Sequence, residues 1–197
     1  GLPAAYAQNE EAETLIIRLA DAYSGLEAEL YYGILEEMDI ITRAVKITNY
    51  GKEDVILNKA ASMNLDWEYG DFEWISFYGR HSMEMNFQRE KIHHGIQAIG
   101  SVRGSSSHQY NPFAIVCEKG SNETMGSCYG FSFVYSGEFL IEAEKDQLDR
   151  TRLICGIHPD NFSWKLQNGD MLWLPEVIMT HSSSGTGKLS RNLHKVI

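Results

Sequence analysis

Between Gly100 and Val116 the chain reads GSVRGSSSHQYNPFAIV, and serine and histidine crowd together there: Ser105, Ser106, Ser107, then His108. A serine nucleophile needs a histidine within hydrogen-bond reach to take its proton, and a third group to orient that histidine. In an extended segment Ser106 and His108 share a side, while Ser107 points away. Nearness along the chain does not supply the geometry, and no GxSxG elbow is present. The competing reading is a loop whose short polar side chains satisfy backbone groups. His93 and His94 would diverge on a strand, and His81, His108, His158, His181 and His194 are scattered. A zinc or non-haem iron site needs several converging ligands, so no metal and no cofactor are expected. Glu142 with Glu144, and Asp66 with Glu68 and Asp71, offer the paired carboxylates of glycoside hydrolysis. Each set equally fits the wet face of a strand or a polar turn.

Aromatic residues offer a different chemistry. In DWEYGDFEW (66–74), Trp67 could stack on the C–H face of a pyranose ring, and Trp164 is a second such platform. Phe72, Trp74 and Tyr78 instead fit one core face of a strand. RGSSS lacks the Lys-Ser/Thr ending of a phosphate loop. GTGK (185–188), ahead of a helical pattern, could hold an anion at a helix N-terminus.

The elements that must position these residues are strands. TLIIRLA puts Leu15, Ile17 and Leu19 on one face. DAYSG (21–25) reads as a turn, and LEAELYYGI then alternates Leu26, Ala28, Leu30, Tyr32 and Ile34 against Glu27, Glu29 and Tyr31. That is a strand with one buried and one wet face. IITRAVKI, VILNKAASMNL, FEWISFYG, FAIVC, SCYGFSFVYSG, EFLIEAE, RTRLICGI, FSWKL and MLWLPEVIMT continue the series, giving about eleven strands. The fold class read from this is all-β, a large two-sheet antiparallel sandwich, with a closed barrel as the alternative. Leu189, Leu193 and Val196 have helix spacing, so a C-terminal helix is expected. The start without Met, and a helical pattern that stops at Ile197, point to a piece of a longer chain.

Composition bounds the function. The 197 residues are 43% hydrophobic and 22% charged, which is globular, and the net charge is −10. An acidic chain is a poor partner for nucleic-acid phosphates or an anionic membrane surface, so neither is expected as a partner. No stretch approaches the about 18 apolar residues of a membrane span, and the start lacks the features of a signal peptide. Cys117, Cys128 and Cys155, an odd count without CxxC spacing, read as free thiols in a reducing compartment, with a Cys117–Cys128 bridge the lesser alternative. A cytoplasmic location follows. The sequons at Asn122 and Asn161 are short enough to arise by chance.

Three stretches carry more information: HHGIQAIGSVRGSSSHQYNPFAIV, YGFSFVYSGEFLIEAE and GIHPDNFSWKLQNGDMLWLPEVIM. In that order they resemble the N-terminal domain of family 36 α-galactosidases (melibiases). RNLHKVI resembles the helix leading from that domain into the catalytic barrel. The similarity runs from about Glu10 to the end and is weakest over 50–75. The resemblance implies a β-supersandwich over 1–183, lacking the family's first strands, and the start of a linker helix over 184–197. It implies a parent enzyme that cleaves terminal α-galactosides of the melibiose and raffinose type with retention. The catalytic carboxylates lie in a (β/α)8 barrel whose motifs are absent from this sequence, so the segment alone is expected to be inactive. Packing on that barrel and homo-oligomer assembly are the implied roles. Arg103, Ser106, His108, Gln109 and Asn111 are the implied barrel-interface or pocket-rim residues, a polar plug in which Pro112 sets the start of the strand at Phe113. A free-standing galactoside-binding module using Trp67 or Trp164, and a mutarotase-like enzyme, are the competing readings.

Overall fold

The computed structural model of the protein describes residues 12–196; GLPAAYAQNEE (1–11) and Ile197 lie outside the described residues. Fourteen strands run along the described chain: β1 (Glu13–Ala20), β2 (Leu26–Leu35), β3 (Ile40–Asn49), β4 (Val55–Leu57), β5 (Ala61–Trp67), β6 (Phe72–Arg80) and β7 (Met83–Lys91). Then come β8 (Gly95–Ser101), β9 (Tyr110–Glu118), β10 (Cys128–Val134), β11 (Phe139–Lys145), β12 (Thr151–Ile157), β13 (Trp164–Leu166) and β14 (Met171–Ser182), followed by one helix, α1 (Gly185–Leu193). An eight-stranded sheet has the order β1-β2-β3-β14-β10-β9-β6-β7. A three-stranded sheet, β11-β12-β5, lies against its middle, and β13-β4 form a separate ribbon. Every strand pair is antiparallel. β8 runs beside β11, with a bridge from His94 to Lys145. The architecture is the expected two-sheet sandwich with a C-terminal helix.

The period of two explains the central core. Tyr129, Phe131 and Phe133 alternate on the inner face of β10, and they meet Phe139, Ile141 and Ala143 of β11 and Leu153 and Cys155 of β12. Phe72 and Trp74 join them from β6, while Tyr78 on the same strand is exposed. The outer face of β10 is buried too. Cys128, with Cys117, Ile115 and Ile178, packs beneath Leu189, Leu193 and Val196 at the helical end of the chain. Thus the large sheet is covered on one face by strands and on the other by α1.

Four expectations need correction. First, the strand count is fourteen: β7 and β8 were missing from the reading. MEMNFQREK forms an edge strand with few buried positions, so nothing forces its sequence to alternate. Second, VILNKAASMNL is two strands in different sheets, β4 and β5. Third, the apolar face of β2 is only half-buried, and its most buried charged side chain is Glu29, on the face expected to be wet. Glu29 accepts hydrogen bonds from Arg18 Nε and Lys46 Nζ, each at 2.9 Å, and from Tyr31 Oη at 3.2 Å. The Lys46 bond, foremost, holds its carboxyl below the usual range. Fourth, β9 begins at Tyr110, so Pro112 lies inside the strand. It is tolerated because pairing with β10 reaches only as far as Phe113, and pairing with β6 is irregular there.

One part of the inner face has no cover within the described residues. Leu15, Ile17 and Leu19 of β1 are 52%, 39% and 53% exposed. They continue the rows that run through Leu30 and Val45, and through Ala28 and Ile47, toward the buried core.

Candidate functional site

The Arg103–Phe113 segment is built as a bend on the rim of the sandwich. Gly104 takes φ +79°, where a side chain would be strained, and its N–H donates to Glu138 Oε1 at 2.8 Å. Ser106 N–H donates to Ser136 O at 2.9 Å. Ser101 Oγ donates to Ser105 O at 2.7 Å, and Gln109 N–H donates to Ser107 Oγ at 3.2 Å. Gln109 O accepts from Gly79 N–H at 3.1 Å. The loop's backbone is therefore held by Ser101, Ser107 and Glu138 side chains and by neighbouring backbone. Arg103 and His108 project outward, and Ser106, Gln109 and Asn111 are half-buried. Arg103 and Gln109 line one shallow hollow of about 210 Å³ with Ser107 and Tyr110. Asn111 Oδ1 is buried with no hydrogen-bond partner among the described residues, an acceptor that would gain from a donor outside them.

The remaining chemical groupings resolve into structure. His93 Nδ1 lies 3.0 Å from His94 O, and His94 Nε2 lies 3.3 Å from Asp149. Among the described residues no three or more His, Cys, Asp or Glu side chains converge as a metal site would need. Glu142 accepts from Lys59 Nζ at 2.9 Å. Asp66 takes a forked pair of bonds from Arg152, 2.7 and 3.0 Å long, which holds its carboxyl below the usual range. The helix start at GTGK has its donors spent: Gly185, Thr186 and Gly187 N–H bond to the carbonyls of Gly126, Asn122 and Glu123. No anion site remains there. Cys117 and Cys128 are register partners with sulfurs 3.1 Å apart, and all three cysteines are buried thiols. A Ser–His pair does form, but not where the sequence placed one. Ser127 Oγ lies 3.0 Å from His181 Nε2, with the His181 ring centroid 4.7 Å from that of Tyr129 and tilted 34° to it. Those two residues meet only because β10 and β14 are neighbours in the sheet.

The two tryptophan platforms part company. Trp67 is half-buried, its ring 5.5 Å from Phe72, 5.3 Å from Tyr129 and 6.2 Å from Phe131, so the core uses much of its surface. It also borders a cleft of about 320 Å³ with Asp66, Glu144 and Arg152. Trp164 is 48% exposed at the start of β13 and lines a groove of about 540 Å³. Tyr135, Glu138, His158, Asn161 and Phe162 share that groove. Asn161 Nδ2 reaches Glu138 Oε1 at 3.2 Å and Oε2 at 3.1 Å, and His158 N–H donates to Glu138 O at 3.1 Å. The sequence reading named Trp164 but missed these neighbours, which come from two loops, β10–β11 and β12–β13. Asn161 had drawn notice only as a sequon.

The described residues form a broad antiparallel sandwich with a rim of polar loops, an architecture that many unrelated functions share. Comparison makes this specific: residues 1–167 match the model of the glycosyl hydrolase family 36 N-terminal domain. The chain belongs to that family. It is 50% identical, over its whole length, to 21% of the bifunctional alpha-galactosidase/sucrose kinase AgaSK of Mediterraneibacter gnavus. It is 43% identical to alpha-galactosidase 1 of Pediococcus pentosaceus, again over the whole chain and 27% of that protein. The crystal structure of the alpha-galactosidase AgaA of Geobacillus stearothermophilus superposes with a TM-score of 0.96 at 43% identity, covering 99% of this chain and 27% of that one. The chain thus spans about a quarter of the length of the relatives it matches.

Proposed function

We propose that this domain is the non-catalytic, assembly-directing part of a larger α-galactosidase that hydrolyses terminal α-galactosides. The observation that carries the reading is the joint one of family membership and uncovered apolar surface. The domain matches relatives called alpha-galactosidases over a quarter of their length, and it leaves Leu15, Ile17 and Leu19 open on its inner face. Exposed apolar rows of this kind mark surfaces that another body covers. The catalytic barrel of the same polypeptide is the partner in this proposal, with the Arg103–Phe113 bend at its contact or at the pocket rim, and with homo-oligomer contacts on the domain as well. Asn111 Oδ1, buried and without a hydrogen-bond partner among the described residues, supports a contact of that bend with another body. The two carboxylates of a double displacement would then lie in the barrel. Three buried thiols support a reducing, cytoplasmic setting.

Assay of the 197-residue chain beside the full-length enzyme on p-nitrophenyl α-galactoside tests this. Turnover by the isolated chain overturns the non-catalytic reading. In the full-length enzyme His108→Ala is expected to lower stability or assembly more than the chemical step. Normal stability with a collapsed kcat would place His108 in the chemistry instead.

A further inference from the structure

We propose that the groove bordered by Trp164 is a saccharide-binding subsite that takes a neutral terminal pyranoside. The inference stands apart from the barrel-packing reading, because it uses only residues of this domain.

Two features of the groove select the ligand. The first is its shape and lining. At about 540 Å³ it lies within the range of small-ligand sites, about 300–1,000 Å³. Aromatic rings of Trp164, Tyr135 and Phe162 give it apolar faces, and no Lys or Arg lines it. An anionic ligand would lack a counter-charge there. A ligand with a flat C–H face and a rim of hydroxyls matches both walls.

The second is a pre-set hydrogen-bonding edge. Glu138 is held from both sides, by Gly104 N–H and by Asn161 Nδ2 on Oε1, and through its own carbonyl by His158 N–H. A carboxylate oxygen can accept more than one bond, and among the described residues Oε2 accepts the 3.1 Å bond from Asn161 alone. The His158 ring lies in the same lining, its Nδ1 3.3 Å from Asp160 N and 3.8 Å from Asp160 Oδ1. Glu138 thus offers a fixed acceptor at the groove, which a sugar hydroxyl can meet as donor. Because loops already fix these groups, little ordering cost falls on binding. Gly137 leaves room for the Tyr135 ring. A Cβ there would come 2.4 Å from Tyr135 Cζ, so the Tyr135 ring lies directly over the glycine.

The test is a titration of the 15N-labelled 197-residue chain with galactose, melibiose and raffinose. Expected are saturable shifts at the Gly104 amide, the Asn161 side-chain amide and the Trp164 indole N–H. Trp164→Ala and Glu138→Gln should each weaken binding at least about tenfold. Tyr69→Ala, at a fully separate exposed aromatic, should leave it unchanged. Glu138→Gln keeps the shape of the site, so the test survives if Trp164→Ala perturbs the fold. Absence of saturable shifts with all three sugars, or shifts that both variants leave intact, overturns the proposal. Neither result bears on turnover, so its failure is distinct from failure of the domain's assembly role.

Discussion

Leu189→Ala tests whether α1 is an integral layer of the sandwich. Leu189 is 1% exposed and sits over Gly130 of β10. A Cβ at residue 130 would stand only 2.9 Å from Leu189 Cδ2, so the bare glycine makes the socket for this side chain. Truncation removes three carbons, worth about 0.8 kcal/mol each in transfer, or about 2.4 kcal/mol together. Leu189 packs among Cys117, Cys128, Ile178 and Leu193, so a cavity term adds to this, for a total of about 3 kcal/mol. For a domain of this size that corresponds to a fall of about 6–12 °C in Tm. Neighbouring polar contacts should hold the helix in place without Leu189. Buried Asn192 accepts from Lys188 Nζ at 2.7 Å and donates to Thr180 Oγ1 at 3.1 Å, and Lys188 also bonds Asp39. The assay is urea unfolding of the 197-residue chain, with the exposed Ser190→Ala as control, expected within about 0.5 kcal/mol of the parent. A Leu189→Ala loss below about 1 kcal/mol would show that the helix is not docked as described, and the two-faced burial of the large sheet would fail with it.

Three further outcomes are expected. Gly185→Ala should destabilise by about 2 kcal/mol or more in the same unfolding assay, because Gly185 has φ +76° and a Cβ would meet Asn122 O at 2.3 Å. The native chain should react slowly with Ellman's reagent and release three thiols per chain only on denaturation; burial pushes the Cys117 and Cys155 thiols well above their ordinary range, and fast native labelling or fewer than three thiols would refute this. Arg152 holds the Asp66 carboxyl below the usual range, so the pair stabilises the fold above the ordinary carboxylate value, and that contribution is lost as pH falls through the lowered one. Since both side chains are about half exposed, Asp66→Asn should cost under about 1 kcal/mol at pH 7, and the cost should vanish in acid; an unchanged cost at low pH would refute the pairing.

The sequence alone determined the class of fold and the grain of the core. Phe131 and Phe133 share the inner face of β10 because residues two apart on a strand must, whatever the sheet order. Leu189 and Leu193 line one side of α1 for the same local reason; Val196 lies in the turn beyond the helix, and all three are buried. The family was legible in the three quoted stretches. What local periodicity cannot carry is which faces another layer covers. Leu15, Ile17 and Leu19 share a face as Phe131 and Phe133 do, yet they are exposed, because the three-stranded sheet spans only the middle of the eight-stranded one. Glu29 was assigned to solvent by its type, but cross-strand Lys46 and adjacent-strand Arg18 bury it as an ion cluster. The sites follow the same division. The Ser-His crowding at 105–108 is local and comes to nothing as a dyad, whereas Ser127 and His181 meet across 54 residues. Gly104, Glu138, His158, Asn161 and Trp164 come together only when the ends of β8, β10 and β12 and the start of β13 are brought to one rim. Contacts between strands distant in sequence depend on sheet order, and sheet order is set by the packing of whole layers rather than by any single segment.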